Sequence, residues 1–322
     1  MPFNNMISRT DADALIPQEV SAEILKNVAE KNPLMRMARR LPNMSRAQRR
    51  MPVMSALATA YFVSGDTGSK QTSEVNWANK YIDAEELAVI VPIPEAVLDD
   101  AEYDIWGEIR PELEQAFDVA IFQAVNYGTN IPASWTTNLG AAGLVAGATA
   151  ASHVISAAAY TDLYEAILGE TLAGTSGLIG LIEADGFMST GHIAHTSMRR
   201  KLRNVRSSDG NPIFMPSMQV RGQYDLDGQP CEFPMDGSVS ATYLLATGQW
   251  NQLVYSMRQD ITFKILDQAV IQDSAGNIIY NLAQQDMVAL RAVIRLGFAL
   301  PNPINRMNQT AATRFPFAFL TA

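Results

Sequence analysis

Two histidines, His192 and His195, lie close in sequence to the acids Glu183 and Asp185, and these four side chains are of types that bind metal ions. The apolar pattern around the histidines predicts a strand over residues 192–195. Residues three apart on a strand point to opposite faces, which disfavours joint ligation of one metal ion. Ordinary strand or loop histidines are therefore the preferred interpretation.

Other features with chemical potential are also better explained as structure. The glycine-rich stretch from Gly174 through Gly177 to Gly180 lacks the Gly-Lys-Ser/Thr of a phosphate loop and the spacing of a dinucleotide loop. Cys231 has no histidine near it in sequence, which favours a packed thiol over a nucleophile. The sequence has no Gly-x-Ser-x-Gly nucleophile motif. We therefore predict no catalytic, cofactor-binding or metal-binding residue and a protein that is not an enzyme.

Length and composition indicate a large globular domain or two joined domains. The 322 residues can bury a substantial core, and 48% of them are hydrophobic and 18% charged. A net charge of -9 argues against general nucleic-acid binding by the chain as a whole. One cysteine permits no intrachain disulfide, and the sequence shows neither a signal peptide nor a transmembrane run. Synthesis in the cytoplasm is the default expectation.

The first 93 residues are predicted to extend from the body of the protein. Residues 1–50 are interpreted as an N-terminal arm, and 51–93 as a long two-stranded loop with a polar tip at 64–74. The tip has too few apolar residues to bury itself in its own subunit, so it is either mobile or ordered by a neighbour. The arm carries one short amphipathic helix pattern: Val20, Ile24, Leu25 and Val28. The outgoing strand of the loop is placed at Tyr61, Phe62 and Val63, and the return at residues 77–82 and 87–91.

Residues 94–131 contain the clearest helical pattern. Apolar residues recur at three- and four-residue steps from Trp106 to Ala124, and Gly128 follows where a left-handed C-cap is expected. Pro94 and Glu95 could begin a short helix before it. Pro111 would cost roughly 3 kcal/mol inside a helix, so we expect a kink there or a longer helix that starts near this residue.

Residues 132–245 are predicted to alternate helices and strands. A helix is expected over 161–172, begun by Thr161 and Asp162, and a second from Ser197 to about Arg203. A turn at Asp209 and Gly210 then leads into an extended, proline-containing segment that ends near residue 234.

Residues 246–305 are predicted to form long strands, followed by a C-terminal segment at 306–322. Alternating Ile261, Phe263 and Ile265 indicate one buried face, and residues 273–277 indicate a turn. Alternation continues over 288–300, with Arg291 and Arg295 on the opposite face of that strand.

Charge is segregated along the chain. Between residues 26 and 50 the single acid is Glu30, against eight bases, whereas between residues 83 and 118 the single base is Arg110, against twelve acids. Such segregation suits complementary contacts between subunits. A solvated face remains the simplest explanation of each run, and the basic run could also contact a neighbouring subunit or nucleic acid.

Several segments, in this order, resemble the major capsid proteins of tailed bacteriophages of the Hong Kong 97 type. YFVSGDTGSKQTSEVNW followed by EELAVIVPIPEAVLDDAEYDIWGEI resembles the family's extended loop and spine helix. TDLYEAILGETL, GHIAHTSMRRKLRNVRSSDGNPIF and VRGQYDLDGQPCEFP are similar to its axial domain, and ATGQWNQLVYSMRQDITFKIL and QQDMVALRAVIRLGFALPNP to its long strands. The resemblance covers about residues 15–305.

The resemblance implies an α+β capsid fold: an N-terminal arm at 1–50, an extended β-hairpin loop at 51–93, and a peripheral domain made of a spine helix at 94–131 and long strands at 246–305. An axial α/β domain at 132–245 and a C-terminal segment at 306–322 complete the chain.

The implied function is that of a major capsid protein, which self-assembles through homohexamers and homopentamers into an icosahedral shell around double-stranded DNA. It would be located in the virion, and in the host cytoplasm during assembly. Further implied partners are scaffolding, portal and decoration proteins and the packaged DNA, bound non-specifically, with no membrane. The alternatives are an encapsulin-like nanocompartment shell that encloses a cargo enzyme, a soluble α+β enzyme, and a tail or other virion component.

Some members of the family join a loop lysine to an asparagine of a neighbouring subunit. Lys70 and Lys80 lie in the loop here, and Asn302, Asn305 and Asn308 follow the last long strand. Position permits such a crosslink, although most relatives do without one. Many relatives also begin with a scaffolding segment that is cleaved off, and this sequence starts close to the arm, so we expect either a mature form or separate scaffolding.

Overall fold

The computed structural model describes residues 33–63, 65, 68–100, 104–169, 176–206, 210–211, 224–273 and 275–322. The helices are α1 (Leu34–Met37), α2 (Glu95–Asp100), α3 (Ile105–Tyr127), α4 (Ala133–Leu139), α5 (Leu144–Ala150), α6 (Leu163–Ile167), α7 (Leu178–Ala184) and α8 (Thr196–Arg203). The strands are β1 (Arg39–Arg40), β2 (Gln48–Met54), β3 (Trp77–Asp83), β4 (Glu85–Pro94), β5 (Val154–Ser156), β6 (Gly191–Ala194), β7 (Tyr224–Leu226), β8 (Gln229–Glu232), β9 (Tyr243–Gly248), β10 (Val254–Leu266), β11 (Val270–Gln272), β12 (Ile278–Asn281), β13 (Met287–Ala299) and β14 (Phe317–Thr321). The predicted arm helix around residues 20–28 and the turn residue Asp209 lie outside the described residues.

One sheet, called here the long sheet, has the strand order β1-β10-β13-β4. The two longest strands, β10 and β13, run antiparallel, and the predicted strand over 288–300 is confirmed as β13. Its alternate residues Leu290, Ile294 and Phe298 are buried, because a pleated strand presents every second side chain to the core.

Helix α3 lies on the core face of the long sheet. Leu113, Phe117 and Ile121 of the helix belong to the same buried cluster as the core-facing side chains of β13. The predicted C-cap is confirmed, since Gly128 has a left-handed backbone with φ 72°. The proposal that the longer helix starts near Pro111 is wrong, because α3 begins at Ile105 and runs through the proline. Inside a helix, the ring of Pro111 clashes with the carbonyl of the residue four positions earlier. That residue is Gly107, and glycine has the most backbone freedom to relieve the clash.

Strands β2 and β3 form an antiparallel ribbon that pairs Gln48 with Asp83 and Met54 with Trp77. The prediction of a strand at Tyr61, Phe62 and Val63 is wrong, because these residues are exposed and have no strand partner. The return of the loop also divides in two: β3 stays in the ribbon, while β4 joins the long sheet beside β13.

A second sheet, called here the mixed sheet, has the order β5-β14-β9-β6-β8-β7. The C-terminal segment supplies β14, which lies inside the sheet between β5 and β9. Buried side chains of α7, α8 and the sheet, among them Ile182, Met198 and Leu245, form its core. The sequence pattern did not predict that the chain end would occupy this interior position.

Several shorter predictions are confirmed with shifted boundaries. The helix expected over 161–172 is α6, which ends at Ile167, and Asp162 accepts a hydrogen bond from the Glu165 amide as its N-cap. The second predicted helix is α8, and the short helix after Pro94 is α2. The predicted turn is present at Asp273, whose carboxylate accepts hydrogen bonds from the backbone of Ala275 and Asn277. Within the described ranges, no helix combines the length and apolar character needed to cross a membrane.

Candidate assembly surfaces

The ribbon is fixed to the long sheet at its base. Ile82 of β3 is fully buried and packs with Met44 and with Ala299 of β13. Gly297 permits this close approach, because a Cβ there would lie 2.3 Å from the Asp83 carbonyl oxygen. Asp83 is held in turn by α4, since Trp135 Nε1 donates to its carbonyl at 3.2 Å and Asn138 Nδ2 to its carboxylate at 3.0 Å.

The outer face of the ribbon carries large apolar side chains. Met54 and Trp77 lie opposite each other, and Tyr81 lies opposite Arg50. Trp77 is 67% exposed, and Met54 and Tyr81 are each 39% exposed. Exposed aromatic residues beside an arginine are the composition that protein–protein interfaces favour.

Beyond the ribbon, the described part of residues 55–76 contains neither helix nor strand. Phe62 is fully exposed, and its neighbours Tyr61 and Val63 are exposed as well. Two hydrogen bonds link this stretch and the adjoining end of β2 to the segment after β13. Arg306 Nη2 donates to the Ala58 carbonyl at 3.0 Å, and the Ile304 amide donates to the Met54 carbonyl at 3.4 Å.

A buried polar cluster, called here the C-terminal clasp, joins the segment before β14 to the end of α7. Asp185 is 6% exposed, and its carboxylate accepts hydrogen bonds from the Phe315 amide and from Asn308 Nδ2, both at 2.7 Å. His153 Nε2 lies 3.3 Å from the same carboxylate. Arg314 extends the clasp, donating from Nε to Asn302 Oδ1 at 3.1 Å and from Nη1 to the Asn308 carbonyl at 2.9 Å.

The clasp also engages all three asparagines considered for a crosslink. Asn302 Nδ2 donates to the Arg314 carbonyl at 2.8 Å, and Asn305 Nδ2 to the Asp185 carbonyl at 2.6 Å. Together with the bond from Asn308, these contacts give each amide a structural role within its own subunit. The crosslink itself stays a prediction.

The residues first considered for chemistry are separated by the fold. His192 is buried in β6 and its Nε2 lies 3.0 Å from the Leu226 carbonyl, whereas the His195 side chain caps α8 by accepting from the Ser197 amide. Asp185 belongs to the clasp, and no group of metal-binding side chains occurs among the described residues. Cys231 is buried, and burial raises the pKa of its thiol to about 12. Gly177 directly precedes α7, while Gly174 lies outside the described residues.

Burial of neutral histidines gives a testable pH dependence. Burial lowers the pKa of His192 from 6.5 to about 4, partly opposed by its bond to Leu226 and by the charge of Asp227. Because the folded-state pKa of His192 is depressed, its contribution to the free energy of unfolding is fully present above pH 6.5. This contribution falls as the pH drops from 6.5 towards 4. The loss from this residue should reach about 3 kcal/mol, at about 1.4 kcal/mol per pH unit.

The measurement is urea unfolding of dissociated subunits between pH 7.5 and 4.5. His192→Gln should remove the part of the slope that His192 contributes. A slope unchanged in this variant would show that His192 is not the titrating group. Burial also lowers the pKa of His153, against the influence of Asp185, so a slope of the same sign should remain.

An α+β body with an exposed, aromatic ribbon presents a surface suited to contact with another protein. The family model described as the phage capsid family matches residues 12–305. The chain belongs to this family. It is 24% identical over 299 residues to the major capsid protein of Staphylococcus phage 80alpha. The aligned region covers 91% of this chain and 84% of that protein.

Solved structures agree with this assignment. A chain from Microbacterium phage Oxtober96 superposes with a TM-score of 0.80 at 32% identity and covers 98% of this chain and 99% of that chain. A chain from Mycobacterium phage Adephagia gives a TM-score of 0.79 at 29% identity, covering 98% of each. The predicted Hong Kong 97-type capsid fold is therefore confirmed. The function is that of a phage major capsid protein, located in the virion, and family membership implies a structural role.

Proposed function

We propose that the chain assembles through homohexamers and homopentamers into an icosahedral shell that encloses the double-stranded DNA of a tailed phage. In this assembly the long sheet with α3 forms the peripheral domain, and the mixed sheet forms the axial domain around the capsomer axes. The N-terminal arm and the ribbon lie across neighbouring subunits. Assembly takes place in the host cytoplasm, with scaffolding, portal and decoration proteins as further partners.

The observation that carries the proposal is the set of exposed apolar side chains on the ribbon and on residues 55–76, which are called here the extension. Phe62 is fully exposed and Trp77 is two-thirds exposed. Large aromatic residues in this condition are costly in a monomer and are the residues that contribute most to interfaces. A neighbouring copy supplies the missing cover, and the ordering cost of the extension then falls at the assembly step.

Substitution at the extension tests the proposal. We expect Tyr61→Ser with Phe62→Ser to raise the subunit concentration needed for assembly by about tenfold or more, since anchor residues typically contribute over 1 kcal/mol each. Sedimentation velocity and negative-stain microscopy of purified protein measure the fraction in closed shells. Met188→Ser, at a comparably exposed apolar site, is the control.

Failure of the unmodified chain to form shells under any condition would contradict the proposed function. A cargo enzyme in purified particles instead of DNA would favour the nanocompartment alternative.

A further inference from the structure

The face of the long sheet that points away from α3 carries an unusual concentration of positive charge. Cross-strand pairing places Lys264 beside Arg291, and Arg291 beside Ile90. Val293 is the next residue of β13 on this face, and Arg295 follows it. Arg295 lies opposite Glu86. The name basic sheet face is used here for these residues: Glu86, Ile90, Lys264, Arg291, Val293 and Arg295.

The two arginines of the basic sheet face have donors that the subunit leaves unused. The Nε atoms of Arg291 and Arg295 are both buried and have no hydrogen-bond acceptor among the described residues. Arg295 forms an ion pair with Glu86 in its own subunit, but the distance from Nε to Glu86 Oε2 is 3.7 Å, which is beyond hydrogen-bond distance. An enclosed Nε atom cannot reach a second molecule. Both residues are partly exposed, however, and the Arg295 side chain is 30% exposed, so an acidic group of another subunit can approach the exposed part of each arginine.

The chemistry of the face favours a protein over a phosphate backbone. Ile90 is 41% exposed between the charged side chains, and one acid, Glu86, lies among three bases. An apolar centre with charged residues around it is typical of a protein interface. Nucleic-acid binding depends on the number of phosphates that Lys and Arg neutralise, and this face offers three cations and one anion.

Helix α2 has the complementary composition. Glu95, Asp99 and Asp100 are exposed on it, and Val97 is 49% exposed among them. No ion pair to these carboxylates is found in the part of the chain that the structure describes. Val97 and Asp100 are three residues apart and share one face of the helix, so an apolar and an acidic side chain there match Ile90 and the bases around it.

We propose that the basic sheet face of one subunit binds the acidic helix α2 of a second copy of the chain. This inference rests on the proposed shell assembly and names two surfaces that form one of its interfaces. Asp100 of α2 pairs with the exposed parts of Arg291 and Arg295, and Val97 beside it covers Ile90. Opposite charge on the two surfaces also fixes the register of the contact.

Charge exchange is the decisive experiment, carried out on the full chain. We expect Arg291→Glu with Arg295→Glu, and separately Asp99→Lys with Asp100→Lys, each to raise the half-assembly concentration at least about tenfold. The four substitutions combined should return it to within about threefold of the unmodified chain, because opposite charges face each other again. Light scattering against subunit concentration provides the values.

Controls separate folding from assembly. Arg203→Glu with Arg206→Glu changes the net charge by the same amount as the Arg291 and Arg295 pair. Arg203 is exposed at the end of α8 and Arg206 is exposed shortly after it, so assembly should be unchanged. Circular dichroism of dissociated subunits checks folding. If glutamates on the sheet prevent folding, Arg291→Gln with Arg295→Gln and the Asp99 and Asp100 pair still test the interface from both sides.

Three results would overturn the inference. The first is assembly of both charge-reversed variants at the concentration of the control. The second is failure of the combined variant to recover, which would exclude α2 as the partner. The third is normal assembly with loss of DNA retention in the Arg291 and Arg295 variant, which would assign the face to nucleic acid. In each case the unmodified chain still forms shells, so the proposed function stands; absence of shells from the unmodified chain would contradict the proposed function itself.

Discussion

Gly297→Ala is expected to separate the ribbon from the long sheet and to prevent shell formation. The new Cβ would lie 2.3 Å from the Asp83 carbonyl oxygen and 2.6 Å from Ile82 Cγ2. Backbone cannot yield as a side chain can, so the ribbon base must shift. Overpacking of this kind typically costs 1–3 kcal/mol, and we expect about 3 kcal/mol of lost unfolding free energy.

The consequence for assembly should exceed the consequence for stability. The outer face of the ribbon, with Trp77 and Tyr81, is rigidly placed only while Ile82 stays buried below it. A displaced ribbon would present these side chains in the wrong position to a neighbour, and interface residues tolerate little displacement. Urea unfolding and particle yield, measured on the same preparations, distinguish the two effects.

Gly276→Ala is the matched control for this substitution. Nothing lies within 4 Å of a Cβ at Gly276, and its backbone φ of +87° makes alanine cost about 1–2 kcal/mol from strain alone. Its position in the turn between β11 and β12 leaves the ribbon untouched. Equal stability and equal particle yield for the two variants would show that contact between Gly297 and Asp83 does not fix the ribbon.

Long periodic segments could be predicted from the sequence because one pattern governs many residues. Helix α3 and strand β13 each repeat their apolar positions over several turns or pleats, and the structure confirms both. The ribbon was misplaced for a physical reason. Tyr61, Phe62 and Val63 have high strand propensity but no partner, while β2 contains two arginines and a proline and forms a strand because β3 pairs with it.

The C-terminal clasp left no readable pattern in the sequence. Asp185 contacts Asn308 and Phe315, more than 120 positions away, and a single sequence carries no signal of such distant pairing. The sequence indicates Asp185 only as a candidate metal ligand near His192. Its actual partners are hydrogen-bond donors, which a buried carboxylate requires whatever its role. The unused arginine donors were equally hidden, because pairing depends on the three-dimensional surroundings of Arg291 and Arg295.

Asp185→Asn should have the largest effect on stability of any single polar substitution in the clasp. The asparagine keeps the shape of the side chain but turns one acceptor into an NH₂ group that faces donors. Either the Phe315 amide or Asn308 Nδ2 then loses its acceptor while it remains buried. Breaking a buried charged contact in this way costs about 3–5 kcal/mol.

The loss should concentrate at the chain end, because the clasp holds the segment that leads into β14. Strand β14 lies between β5 and β9, so its release would open the mixed sheet along its interior. Hydrogen exchange should therefore show faster exchange at the amides of Phe317 and Phe319, with α3 and β13 protected as before. Asp267→Asn, at an exposed carboxylate, is the control and should change neither unfolding nor exchange. Uniformly faster exchange across both sheets would mean that the clasp stabilises the whole subunit and does not act locally on β14.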